Sequence, residues 1–278
     1  MNWEEAVCSL RDDPSMKEVV MACYYDDPLI EAAERFWKSN EWLALKDELP
    51  IPPSKVLELG AGRGIASYAF AKEGWDVTAL EPDASEIVGT GAIRSLFRES
   101  KLTINVVEEW GEFLPFEDET FDLVYGRAVF HHADNLEKFC SEACRVLKPQ
   151  GIFIMTREHV LSSKDEEESF LKSHPLHHLY GGEAAYMLDE YLDAMRCAGM
   201  KIRTVKGPSS SAVNYFPQSN SEMRRDIVVM MQRRFWPIGG LITRVLFNFK
   251  SGLDYLQAYS DSVNDEPGRL YLLAGEKV

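Results

Sequence analysis

The sequence has no run approaching the ~18 consecutive apolar residues that a bilayer-spanning helix needs, so no integral membrane association is expected. Positive charge is scarce. Thirty Lys and Arg stand against 45 Asp and Glu, a formal net charge of −15. Such a surface repels phosphate backbones, which argues against nucleic acid as a partner. Cysteine is sparse and odd in number. Cys8, Cys23, Cys140, Cys144 and Cys197 form no Cys-x-x-Cys pair, which points to reduced thiols and a cytoplasmic protein. The N-terminus carries Glu4 and Glu5 and no apolar stretch of signal-peptide type. There is no internal repeat and no low-complexity segment.

What is there begins with Val56-Leu57-Glu58-Leu59-Gly60-Ala61-Gly62-Arg63-Gly64. Val56, Leu57 and Leu59 suit a parallel strand covered on both faces. Gly60, Gly62 and Gly64 let the backbone turn sharply and approach a ligand with no Cβ in the way. Ile65, Tyr68, Ala69 and Lys72 then have helical spacing, so the turn opens a helix whose free N–H groups favour negative charge. Ile65 stands where the third glycine of a dinucleotide fingerprint would be.

Residues 75–80 read as a second strand ending at Glu81-Pro82-Asp83, with Asp83 a candidate cap for the next helix. Glu81 lies about 20 residues after the glycine turn, the distance at which an acid accepts hydrogen bonds from a ribose diol. A third strand over 102–107 leads to Trp110-Gly111. A fourth over 121–125 leads to Arg127 and His131-His132, and a fifth covers 152–156.

In this order the motifs closely resemble class I methyltransferases that use S-adenosylmethionine (SAM), and more narrowly the broad type 11 group of small-molecule and quinone-biosynthesis enzymes. The resemblance rests on Glu58–Gly64, Glu81, Leu114-Pro115-Phe116 before Phe121–Val124, and Arg145–Pro149, and it spans about residues 51–160. It implies that Glu58 and the backbone of Gly60, Ala61, Gly62 and Gly64 hold the amino-acid end of SAM. Glu81 would take the ribose hydroxyls, with Pro82 beside the adenine. Trp110 and Gly111 stand where the family usually has Asp-Ala against the adenine, and Trp110 is a departure. Arg127 would border the methionine part, and Gln150 replaces a common glycine. S-adenosylhomocysteine (SAH) would be the product.

His131 and His132 fall where the reacting methyl should emerge. Each is a candidate general base, because histidine titrates near neutral pH, and each is also a candidate for a structural or ligand-lining role. His174, His177 and His178 have no adjacent Cys or acid to complete a metal site, so no metal is expected.

The rest of the chain is expected to be helical or to complete the sheet. Asp27-Pro28 predicts the start of a helix running to about Leu49, with Tyr24 and Tyr25 before it as local packing or an aromatic lid. A helix over 182–200 and strands over 201–205 and 269–275 follow. Between those strands, residues 207–267 form an insertion with helices predicted over 222–236 and 241–259. It is locally basic and rich in apolar residues, which suits a lid over an acidic or apolar substrate, or a face for a membrane surface.

The expected architecture is α/β: a Rossmann-like, seven-stranded, mostly parallel sheet. Residues 1–50 would be an N-terminal helical cap, 51–206 the SAM-binding core, 207–267 a helical insertion and substrate lid, and 268–278 the final strand. The expected function is methyl transfer from SAM to an O, N or C nucleophile of a small molecule. The alternatives are a non-catalytic SAM- or SAH-binding protein, a protein methyltransferase, and an NAD-dependent dehydrogenase.

Overall fold

The run at 56–59 becomes β1 (Lys55–Leu59), the strand from which the site is built. The structure, a computed structural model, describes residues 2–50, 52–174, 177–181 and 184–278. The sheet continues with β2 (Asp76–Leu80), β3 (Asn105–Val107), β4 (Phe121–Arg127), β5 (Leu147–Leu161), β6 (Tyr186–Met187), β7 (Met200–Lys206) and β8 (Arg269–Lys277). Seven strands lie in the order β3-β2-β1-β4-β5-β8-β7, and the two-residue β6 adds an eighth beside the end of β5. Pairing is parallel from β3 to β5, while β8 runs antiparallel to both β5 and β7. This is the Rossmann-like arrangement, with strand order reversing beside β1.

Alternation along the strands separates two apolar layers. Leu57 and Leu59 face one layer with Val124 and Phe153, covered by the helices at 136–146 and 188–197. Val56 faces the other with Val77, Leu123 and Tyr125. The helices are α1 (Trp3–Asp12), α2 (Lys17–Ala22), α3 (Leu29–Trp37), α4 (Asn40–Lys46), α5 (Ile65–Lys72), α6 (Thr90–Ser100), α7 (Leu136–Val146), α8 (Glu167–Ser173), α9 (His177–Tyr180), α10 (Leu188–Cys197), α11 (Ala212–Tyr215), α12 (Asn220–Arg234), α13 (Gly239–Leu246) and α14 (Lys250–Val263).

Several elements differ from expectation for local reasons. The helix predicted from 28 to 49 is two helices, because Ser39 leaves the helix and caps α4 by accepting from the Trp42 N–H. Asp27 does not cap α3; its carboxylate pairs with Arg63 and Arg11. Asp83 accepts from the Ser85 N–H in a turn, and α6 starts only at Thr90. The helix predicted from Gly182 starts at Leu188, after β6. Gly182, like Pro175 and Leu176 of the histidine-rich loop, lies outside the described residues. The stretch 241–259 is interrupted at 247–249 and becomes α13 and α14. Gln150 adopts φ +65°, the left-handed backbone that glycine takes without cost.

Residues 24–49 share the core of the sheet, through Tyr24, Ala32, Phe36, Trp42 and Leu45, while Leu10 and Val20 form a small separate cluster. Trp42 is fully buried, and its ring meets Phe70 of α5 edge-on at 5.0 Å. Trp42→Ala is therefore expected to cost about 3–5 kcal/mol in urea unfolding, the range for a large buried aromatic. A loss below about 1 kcal/mol would mean that this segment packs independently of the sheet.

Candidate functional site

At the end of β1 the backbone enters left-handed geometry at Gly60 (φ +60°), Gly62 (φ +52°) and Gly64 (φ +78°). A Cβ on Gly60 would stand 2.2 Å from the Val129 side chain, so this position is closed to any other residue. A Cβ on Gly62 would meet only the Val88 carbonyl at 3.8 Å; there the backbone conformation alone asks for glycine, and the turn stays open. Gly64 precedes α5 directly and packs against Ile93.

Glu81 binds this turn to the end of β2. Its carboxylate accepts from the Gly62 N–H at 2.7 Å and the Asp83 N–H at 3.0 Å. Burial pushes its pKa up to about 7 against those stabilising bonds. Glu58, on β1, is also buried, and burial raises its pKa to about 8 while the Ser67 hydroxyl donates to it.

Arg127, at the end of β4, pairs with Glu41 of α4 through bonds of 2.7 and 3.2 Å. Burial acts to lower its pKa, but the Glu41 carboxylate outweighs it and holds the guanidinium charged. The same guanidinium lies 5.5 Å from the centre of the Tyr24 ring. Arg63 donates to the Tyr24 and Asp26 carbonyls, both at 2.9 Å, and pairs with Asp27. The glycine turn and the 24–27 segment are thus joined by buried charge.

These residues surround a cavity of about 640 Å³ at the carboxyl ends of β1, β2 and β4. That is within the ~300–1,000 Å³ of small-molecule sites. Glu58, Gly60, Ala61, Gly62, Glu81, Pro82, Trp110, Gly111, Arg127 and His132 all line it; Gly64 and His131 do not. Trp110 is 64% exposed at the rim. Gly111 is crowded, since a Cβ there would fall 1.5 Å from the Phe139 ring. No residue of 207–267 lines this cavity; its cover is the N-terminal segment, through Trp3, Tyr24 and Tyr25. The insertion reaches it only indirectly, with the Phe216 ring stacked on Tyr24 at 6.0 Å.

His131 is buried, and its Nδ1 lies 2.8 Å from Glu158. The His132 ring lies 4.2 Å from that of His131, tilted by 44°, and His132 lines the cavity. Glu158, wholly buried in β5, also accepts the N–H groups of Val129, Phe130 and His131. Sequence reasoning missed Glu158, Glu41 and Arg63. Glu158 had a signal: a carboxylate between the apolar run 152–155 and Val160-Leu161 needs buried partners. Glu41 and Arg63 had none.

Residues 57–155 match the family described as "Methyltransferase domain". A sarcosine/dimethylglycine N-methyltransferase of Halorhodospira halochloris is 32% identical over 174 residues, which cover 49% of this chain and 61% of that protein. A ubiquinone biosynthesis O-methyltransferase of Rhizobium leguminosarum is 29% identical, covering 40% of this chain and 43% of the other. The chain therefore spans less than two thirds of the length of these curated relatives. Among solved structures, a putative sarcosine dimethylglycine methyltransferase from Galdieria sulphuraria superposes with a TM-score of 0.59 at 19% identity, covering 98% of both chains. A geranyl diphosphate methyltransferase in complex with GPP and sinefungin gives 0.58 at 17% identity, covering 86% of this chain and 77% of the other. At these identities the two structures speak for the fold.

The two buried carboxyls have a consequence for stability. Unfolded, they release protons near pH 4.5; folded, they do so near pH 7 and 8. The folded state binds more protons across that window, so their contribution to stability falls as pH rises from about 5 to about 8. Glu58→Gln is expected to flatten this dependence in melting experiments and to be the more stable form at pH 8. Parallel curves for the two proteins would place the Glu58 pKa near that of an exposed carboxyl.

Proposed function

We propose that this chain, which belongs to the class I SAM-dependent methyltransferase superfamily, transfers the methyl group of SAM to a nitrogen, oxygen or carbon nucleophile of a small molecule. One observation carries the reading: a single cavity gathers the glycine turn, the acid ending β2 and the end of β4. The names of the relatives, N- and O-methyltransferases among them, support a small acceptor.

The residues present fit the cofactor. At Gly62 the direction a Cβ would take is open, with only the Val88 carbonyl at 3.8 Å, while its N–H is held by Glu81. Glu81 spends one lone pair of each oxygen on backbone N–H groups and keeps acceptor capacity for a ribose diol. In this reading Glu58, the Gly60–Gly64 backbone and Arg127 take the amino-acid end. Pro82, Trp110 and Gly111 take the base. SAM, when bound, supplies a methyl carbon made electrophilic by its sulfonium. The chain's part is alignment of the nucleophile with that carbon and exclusion of water, which together supply much of the rate. The 1–50 cap closes over the site, and the 207–267 insertion backs the cap through Phe216 behind Tyr24. His132 lines the cavity beside His131, which Glu158 holds.

Calorimetric titration with SAH, with NAD in parallel, tests the cofactor. Micromolar SAH binding without NAD binding is expected. Glu81→Ala should weaken SAH binding about tenfold or more, the worth of a hydrogen bond to a charged group. NAD binding in place of SAH would return the dehydrogenase reading. SAH binding with no turnover in a labelled-methyl screen of metabolite pools would leave a binding protein. Where turnover is found, His132→Ala should reduce it less than tenfold, because alignment dominates. A loss of about 10²-fold or more, with an altered pH–rate profile, would make His132 the general base.

A further inference from the structure

Nine of the fifteen large apolar side chains exposed among the described residues lie between 229 and 263. The rest are scattered, so this is the molecule's principal apolar surface. Its centre is the turn from α12 into α13. Trp236 is 83% exposed, and Ile238, Leu241 and Val245 recur at intervals of three and four residues, the repeat of one helix face, with Phe249 exposed just beyond the end of α13. This face is not the inner side of the hairpin. Ile242, Leu246 and Phe247 are the residues that pack inward, against Met223, Ile227, Met231 and Leu256. The helix is therefore apolar on two sides, one packed and one open.

Charge distinguishes this surface from the rest of the chain. Residues 224–250 hold Arg224, Arg225, Arg233, Arg234, Arg244 and Lys250 against Asp226, a local charge of +5. Subtracted from the total of −15, this leaves −20 on the remaining residues. All six basic residues are exposed. An exposed tryptophan, an apolar helical stripe and flanking arginines form the pattern of a segment lying in a lipid headgroup region. The arginines add attraction for anionic lipid, and the acidic remainder would be held away from it. A second copy of the chain fits less well. Among the described residues no other apolar face of this size is exposed, so a second copy would pair the same segment, setting +5 against +5. Among the described residues no helix is long and apolar enough to cross a membrane, so the association is peripheral.

We propose that the α12–α13 turn docks this protein on anionic membrane surfaces, with Trp236, Leu241 and Val245 inserted at headgroup level and Arg233, Arg234 and Arg244 against lipid phosphates. The inference does not depend on the methyl-transfer reading, because no residue of the patch lines the cavity.

Sedimentation of the full chain with phosphatidylcholine vesicles, and with vesicles containing phosphatidylglycerol, tests it. Pelleting with the anionic vesicles, weakened by 0.5 M salt and at least tenfold weaker with neutral vesicles, is expected. The double variants Trp236→Ser/Leu241→Ser and Arg233→Glu/Arg244→Glu should each weaken it tenfold or more. These side chains are exposed, so unchanged circular dichroism and melting temperature are expected for both variants. Three results would each overturn the proposal: no pelleting with either vesicle at low salt, pelleting that both double variants retain, or concentration-dependent self-association in light scattering that the same substitutions abolish. The last would assign the patch to a second copy.

Discussion

The Glu158 carboxylate is the constraint from which the site's geometry follows. A charge-bearing group with no exposure must be given donors by the protein itself, and Glu158 takes three consecutive backbone N–H groups and the His131 ring. Those bonds hold the turn after β4. That turn presents Val129 to Gly60, at a distance that admits no Cβ. The glycine turn is therefore shaped from β5, two strands away, as much as by its own residues. The price is a break in β5, where pairing with β8 shifts register between Met155 and Glu158 and Arg157 takes φ +58°.

A second set of buried charges ties the N-terminal segment to the same place. Glu41 neutralises Arg127, and Arg63 reaches back to the carbonyls of Tyr24 and Asp26. Neither arginine is free to respond to solvent, and both hold backbone or side chains of the cap. With Trp42 against Phe70, this makes the cap part of the site's wall. Position within the core and position over the cavity have the same cause.

What was legible in the sequence was what short-range chemistry dictates. The glycine turn, Glu81 and the strands that precede them announce themselves through glycine placement, apolar runs and fixed spacing, and the cavity gathers most of the residues marked from them. What was not legible depended on distant partners. Nothing local says that Asp27 pairs with Arg63 rather than capping α3, or that Ser39 ends one helix to start another. The pair His131-His132 could not be divided from sequence, because adjacent residues look alike until one is seen to line the cavity and the other to lie buried against Glu158. The extent of β5 was equally hidden, since its second half carries charged residues whose partners lie on other elements.

The place of β8 bears on how the chain is made. It sits inside the sheet, antiparallel between β5 and β7, so those two strands remain unjoined until the last residues of the strand leave the ribosome. The parallel half, β1 to β4, can assemble while synthesis continues, but β5 must wait with an open edge across more than a hundred residues of intervening chain. During that interval α10 and the basic hairpin emerge and lie beside an incomplete sheet. A chain lacking β8 leaves the facing edges of β5 and β7 unpaired, an aggregation hazard that the complete sheet does not carry there, because the strand lost is an interior one.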